Sequence, residues 1–297
     1  SMRDEVKLSH LVNMSHEIGN EIAYVQGGGG NTSVKLDESR MAIKASGISL
    51  KDMAVNYGVS VVDYQKVNSY HDLPDESEDA YSESINQFAL GDFGRPSIET
   101  GFHALLGNYV IHSHSVFLNV LLCAQEGKNI ILEHFPDAIW VDYCTPGRNL
   151  TLAVKSALSE VGGAYEGLVF LESHGLIASA PSHMRCLELH SNCNEKIREA
   201  FNLSEFNILD DTTPLCPESF LFPDQVVYMS PEQLESRTSA SIETIATVKY
   251  LESNMQILGL TAKHLSLRDV DILNKLLDRI HVERKDNQWK PYKELSQ

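Results

Sequence analysis

This sequence predicts a mixed α/β layered domain with a C-terminal extension, on three observations. Segments of helical apolar spacing alternate with short strand-like runs from Glu5 to Asn202. The 297 residues are 42% hydrophobic and 22% charged, which is enough to bury a substantial core. No repeat or long low-complexity tract breaks the alternation, and the character of the chain changes only near residue 204. The expected division is a main domain over 1–204 and an extension over 205–297 packed on it.

The elements follow in chain order. Glu5 to Ile18 places Val6, Leu11, Met14 and Ile18 near helical spacing, and Gly19-Asn20 ends the helix. AYVQ leads into the glycine run 27–30, whose plain reading is a flexible hairpin. MAIKASG is a short strand and turn, and VSVVDY a further strand. The acidic, Ser-rich HDLPDESEDAYSES reads as a solvated loop or helix lead-in. Ser97 to Leu106 is a helix, YVIHSH a strand, Val116 to Ala124 a helix and AIWVDY a strand. Leu150 to Val161 is helical, GLVFLES is a buried strand ending at His174, and Pro181 to Asn202 makes a long helix. Beyond it, LCPESFLFPDQVVYMSPEQL is loop-rich with one short strand, QVVYM. Ser266 to Val282 carries a helical stripe at Val270, Ile272, Leu273, Leu276, Leu277 and Ile280.

Charge narrows the partners. A formal net charge of −17 disfavours nucleic acid and anionic membrane, so a phosphate-bearing substrate must be captured by local donors. No apolar run approaches the roughly 20 residues of a spanning helix. The polar start SMRDEVKLSH shows no signal peptide, and Ser1 ahead of Met2 reads as an expression remnant. Five scattered cysteines without a C-x-x-C pair fit reduced thiols in a cytoplasmic protein.

Histidines carry the chemistry. In a strand, His112 and His114 point the same way, about 6–7 Å apart. They are either two singly hydrogen-bonded imidazoles or half of a metal site. His174, at a strand end beside Gly175, is the third candidate ligand, and three histidines with an open fourth position are a catalytic zinc set. Glu99 and His103, four apart, form either a surface helical pair or a carboxylate beside the metal able to take a proton. GGGGNTSVK fits neither the P-loop nor the dinucleotide-binding glycine pattern. Its Gly30-Asn31-Thr32-Ser33 stretch nevertheless offers amide and hydroxyl donors for an anion. Lys44-Ala45-Ser46-Gly47 is a second small-residue turn with a cation, and the two turns together would grip a phosphate.

Taken in order, GGGGNTS, KASG, PSIE with its downstream His103, HSH and SHG resemble the class II aldolase/adducin family, in its fuculose-/rhamnulose-1-phosphate aldolase-like zinc enzymes. The match runs from Leu8 to Asn202. The resemblance implies an α/β/α three-layer domain with a central, largely antiparallel sheet, usually a homotetramer with sites between subunits. It carries one Zn²⁺ per chain onto His112, His114 and His174, and the acid/base carboxylate onto Glu99. Phosphate contacts fall on Gly30, Asn31, Ser33, Ser46, Gly47 and Ser97. Two positions depart: Ile98 stands where a second serine is expected, and Lys44 either compensates or marks a carboxylate-bearing substrate. The implied function is a lyase that cleaves or forms a carbon–carbon bond in a ketose phosphate through an enediolate, giving dihydroxyacetone phosphate and an aldehyde. Epimerase, dehydratase or decarboxylase chemistry on the same site, or a non-catalytic adducin-like scaffold, are the alternatives.

Overall fold

Alternating residues of the central strands bury apolar side chains on both faces, so helices must cover both. In the computed structural model, which describes residues 3–74, 81–91, 94–161, 164–208 and 217–286 (side chains to 276), they do. The first half contains α1 (Asp4–Gly19), β1 (Asn31–Lys35), β2 (Arg40–Lys44), β3 (Val59–Asp63), α2 (Tyr64–His71), α3 (Tyr81–Asn86), α4 (Thr100–Leu105) and β4 (Tyr109–Ser113). Next come α5 (Val116–Leu122), α6 (Gly127–His134), β5 (Ile139–Val141), α7 (Arg148–Leu158), β6 (Gly167–Leu171), β7 (Gly175–Ala180) and α8 (His183–Phe201). The extension contributes α9 (Pro223–Tyr228), α10 (Pro231–Ser236), α11 (Ser239–Leu258) and α12 (Leu267–Asp286).

The strands form one seven-stranded sheet in the order β3-β2-β1-β4-β7-β6-β5. Every pairing is antiparallel except β5 with β6. The pleat sorts the core. Ala42, Ile111 and Ala178 point to one face, where α1 and α8 pack, and α5 continues that layer beside Phe170 and Leu176. Met41, Ile43, Val110, Val169 and Ile177 point to the other face, under α2, α3, α4 and α7. The result is the three-layer α/β/α arrangement with a largely antiparallel sheet.

The extension is helical and docks through α5. Leu251 and Met255 of α11 share an apolar cluster with Val120, Cys123 and Ala124 and with Leu221, Phe222 and Met229. The expected strand QVVYM is instead α9. Pro223 occupies the first turn, where its missing N–H costs nothing. The Gln225 side-chain carbonyl accepts from Leu221 N–H at 2.7 Å, closing the entry to that turn, so local capping overrides the β-propensity of Val-Val-Tyr.

Other differences concern extent. The flexible-hairpin reading of the glycine run stops short, because β1 begins at Asn31 and is a central strand. β7 follows His174 directly, and α2, α6 and α11 fall where no helix is expected from the sequence. α4 starts later than Ser97, with Glu99 at its N-cap. Part of HDLPDESEDAYSES (75–80), Cys216 and the side chains of Leu277 and Ile280 lie outside the described residues. Among the described residues, no helix is long and apolar enough to cross a membrane.

Candidate metal centre

The sheet order explains why residues distant in sequence meet. β4 lies between β1 and β7, with Asn31 opposite His112 and His112 opposite Ile177. His114 follows β4 by one residue, and His174 sits in the tight turn between β6 and β7. That turn is held by Asn119 Nδ2, which donates to His174 carbonyl at 3.1 Å, and by Ser173 N–H, which donates to Leu122 carbonyl. Its left-handed residue is Ser173, at φ 55°. Gly175 serves close approach rather than turn freedom. A Cβ there would collide with the Ser113 carbonyl and lie 3.2 Å from His114 Cδ2. Glycine at 175 therefore lets β7 approach the histidine strand closely.

The four candidates converge. One ligand atom each from Glu99, His112, His114 and His174 lies within 4.8 Å of the others, and all four residues are buried. His112 Nε2 is 3.2 Å from both His114 Nε2 and His174 Nε2. Glu99 Oε1 stands 3.4 Å from His112 Nε2, and Oε2 stands 3.5 Å from His174 Nε2. Such spacings suit neighbouring corners of a four-ligand shell with bonds of about 2.0–2.2 Å.

Hydrogen bonding assigns the protons. His112 Nδ1–H donates to the Leu176 carbonyl at 3.0 Å, and His114 Nδ1–H donates to Asp224 Oδ2 at 3.1 Å. Both Nε2 lone pairs then face inward, toward each other, an arrangement that repels unless a cation lies between them. Glu99 Oε2 is buried and has no hydrogen-bond partner, a costly state for a carboxylate oxygen. The donor set and the orphaned oxygen both fit a divalent cation.

The charge tendencies differ within the cluster. Burial alone would raise Glu99, but the adjoining imidazoles His112 and His174 outweigh it and hold its carboxyl well below the usual range. Burial pushes His174 and His103 well below the ordinary imidazole value. At His114 burial pulls down, but the charge and hydrogen bond of Asp224 prevail and the net shift is upward.

Behind Glu99 runs a relay that is not apparent from the sequence. Ser33 Oγ–H donates to His103 Nδ1 at 2.6 Å, His103 Nε2–H to Asn31 Oδ1 at 2.5 Å, and Asn31 Nδ2–H to Glu99 Oε1 at 2.9 Å. The Glu99–His103 pair is thus buried and bridged by Asn31 rather than lying on the surface. Ser33 sits at the far end of this relay, only 1% exposed, and not on the cavity wall.

A cavity of about 190 Å³ opens over the cluster. Gly30, Asn31, Lys44, Ser46, Gly47 and Ser97 line it, as do Glu99, His114 and His174. Lys44 Nζ also donates to the carbonyls of Ala45 and Ile48, and Ser97 Oγ accepts from Glu99 N–H. Sequence reasoning missed Arg95, which adds a second cation to the wall, and the residues from the extension. Pro223, Asp224, Val227, Tyr228, Leu273 and Leu276 also line the cavity. The sequence reads Pro223 and Asp224 as loop, Val227 and Tyr228 as strand, and Leu273 and Leu276 as a helical stripe, none of them as site residues.

Residues 9–199 match the family model described as Class II Aldolase and Adducin N-terminal domain. A relative from Bacillus subtilis (strain 168), named as the uncharacterized oxidoreductase YuxG, is 31% identical over 193 residues, or 61% of this chain. The matched region spans 27% of that relative's length. Among solved structures, the N-terminal class II aldolase domain of a conserved Thermoplasma acidophilum protein superposes with a TM-score of 0.59 at 21% identity, covering 67% of this chain and 96% of that one. YgbL from Klebsiella pneumoniae gives 0.51 at 20% identity, covering 71% and 97%.

Proposed function

The chain belongs to the class II aldolase and adducin family, and from that premise we propose that it is a zinc-dependent lyase that cleaves or forms a carbon–carbon bond in a ketose phosphate. The observation that carries this reading is the convergence of three inward-facing Nε2 atoms and an orphaned carboxylate oxygen at the floor of an open cavity. His112, His114 and His174, with Glu99 beside them, would hold the zinc, which when bound would supply Lewis acidity.

The chain's own residues divide the remaining work. Asn31 fixes Oε1 of Glu99, leaving Oε2 to move the proton at the carbon next to the carbonyl. In the cleavage direction that proton is delivered to the carbon from which the aldehyde departs; in synthesis it is removed. Lys44, Ser46, Gly47 and Ser97, with Arg95, line the wall that receives the phosphate, and Gly30 and Asn31 adjoin it. Ser33 acts behind them, through His103. The same reading carries a homotetramer with one zinc per chain in the cytoplasm, where Cys123, Cys144, Cys186 and Cys193 stay reduced.

The purified protein is expected to hold close to one zinc per chain by elemental analysis, and His112→Ala, His114→Ala or His174→Ala to lose it. A triple-Ala protein as loaded as the parent would place the metal elsewhere, and a metal-free, inert parent would favour the scaffold alternative. Phosphorylated ketoses offered to zinc-loaded enzyme, with coupled detection of dihydroxyacetone phosphate, test the reaction. Carbon dioxide release or an isomerised product in the same screen would replace the lyase with a decarboxylase or an epimerase. Glu99→Gln should keep a substrate analogue bound but lose about 10²–10⁴-fold in kcat, as removal of a proton-transfer group does. An unchanged kcat would remove Glu99 from the chemistry.

A further inference from the structure

We propose that Asp224, in the extension and outside the family-matched region, is the positioning residue that sets His114 as a metal ligand. The inference rests on the reading that the cluster holds a divalent ion. Asp224 Oδ2 accepts the Nδ1–H of His114 at 3.1 Å, on the edge of the ring opposite the converging Nε2. A carboxylate there fixes both the tautomer and the ring plane of a ligating histidine and makes its other nitrogen a better donor. His112 obtains the same service from a main-chain carbonyl, that of Leu176. His114 lies beyond the strand end, where β7 offers no such group.

Two further features make this contact a built one. The site has room for it only because residue 29 lacks a side chain. A Cβ on Gly29 would lie 2.5 Å from His114 Nδ1 and 2.7 Å from Asp224 Oδ2, inside the hydrogen bond itself. The extension is also clamped onto the glycine run from both sides. Gly27 N–H donates to Glu243 Oε1 at 2.8 Å and Gly28 N–H to Tyr228 Oη at 3.1 Å. These two bonds seat α9 and α11 on the glycine run, and the seating delivers Asp224 to His114.

The test is zinc affinity of the metal-stripped full chain, measured by chelator competition, together with ¹⁵N NMR of the histidine rings in metal-free protein. Parent protein should show His114 protonated on Nδ1. Asp224→Ala should bind zinc about 10–100-fold more weakly and lose that tautomer preference. Asp224→Asn, whose carbonyl can still accept from Nδ1–H, should restore the tautomer and part of the affinity. Tyr228→Phe removes one of the two clamps while Gly27–Glu243 stays in place, so it should keep the Nδ1 tautomer of His114 and weaken zinc less than Asp224→Ala does. Asp224→Ala binding zinc like the parent, or Tyr228→Phe weakening it equally, would overturn the proposal. A parent that binds no zinc would instead overturn the metal reading, while the tautomer measurement would still judge Asp224.

Discussion

Asn31 bridges two buried polar groups. Its amide N–H₂ serves Glu99 and its carbonyl serves His103, while its side chain also borders the cavity. Removing it takes a hydrogen bond from an acceptor and from a donor away from water, each loss costing about 1–3 kcal/mol. Asn31→Ala is therefore expected to lower stability by about 2–4 kcal/mol in urea unfolding and to reduce kcat. A residue that only gripped phosphate would raise KM and leave the unfolding midpoint alone, and that outcome would disprove the relay. The clustering of His112, His114 and His174 with Glu99 was legible in the sequence, because residue type and order single these four out. Ser33, His103 and Asp224 were not. Their roles depend on cross-strand register and on contacts between residues up to 110 positions apart, such as His114 with Asp224.

At the scale of elements, α11 shows why sequence pattern can hide a helix. Thr244, Ile245, Thr247 and Val248 are β-branched and favour strands in isolation. Yet Thr244 and Thr247 satisfy their hydroxyls on carbonyls four residues back, those of Ala240 and Glu243, so both can be buried within a helix. The stripe that docks α11 is therefore part polar, and the apolar spacing that exposes α1, α7 and α8 in the sequence is blurred. β1 is similarly masked, since Asn31, Thr32 and Ser33 look like turn residues yet sit in the middle of the sheet. Leu251, fully buried where α11 meets α5, gives the interface a direct test. Leu251→Ala should cost about 2–5 kcal/mol and shift one common unfolding transition. A separate early transition, with the histidine cluster intact, would show the extension to be an independent unit.

For the whole molecule, buried neutral histidines set the acid limit. Burial first, and then the neighbouring His112, lower His190 to about 3 from its ordinary 6.5. The unfolded chain binds a proton at this position below pH 6.5, whereas the folded chain does not until about pH 3. The stabilising contribution is thus complete above pH 6.5 and lost as pH falls through that window. From pH 7.5 to 5.0 the single group should remove about 2 kcal/mol. His190→Gln, which keeps a partner for Ser113 Oγ, should lose correspondingly less over the same range in paired urea titrations. Equal losses in parent and variant would exclude His190 as a source of acid sensitivity.

The order of strands also has a consequence in time. Asn31 pairs with His112, and His112 with Ile177, so the ligand strand is completed only by segments far upstream and far downstream of it. Joining them requires closing two long loops before any contact compensates for the lost chain freedom, which makes such pairings slow steps in folding. During synthesis the HSH segment emerges well before its third histidine, and later still comes the carboxylate that orients His114. Through that interval the nascent chain exposes two imidazoles with no cage around them. A grip on a divalent cation by all four residues would therefore be complete only at the end of folding, as a seal on a finished sheet rather than the nucleus around which it forms.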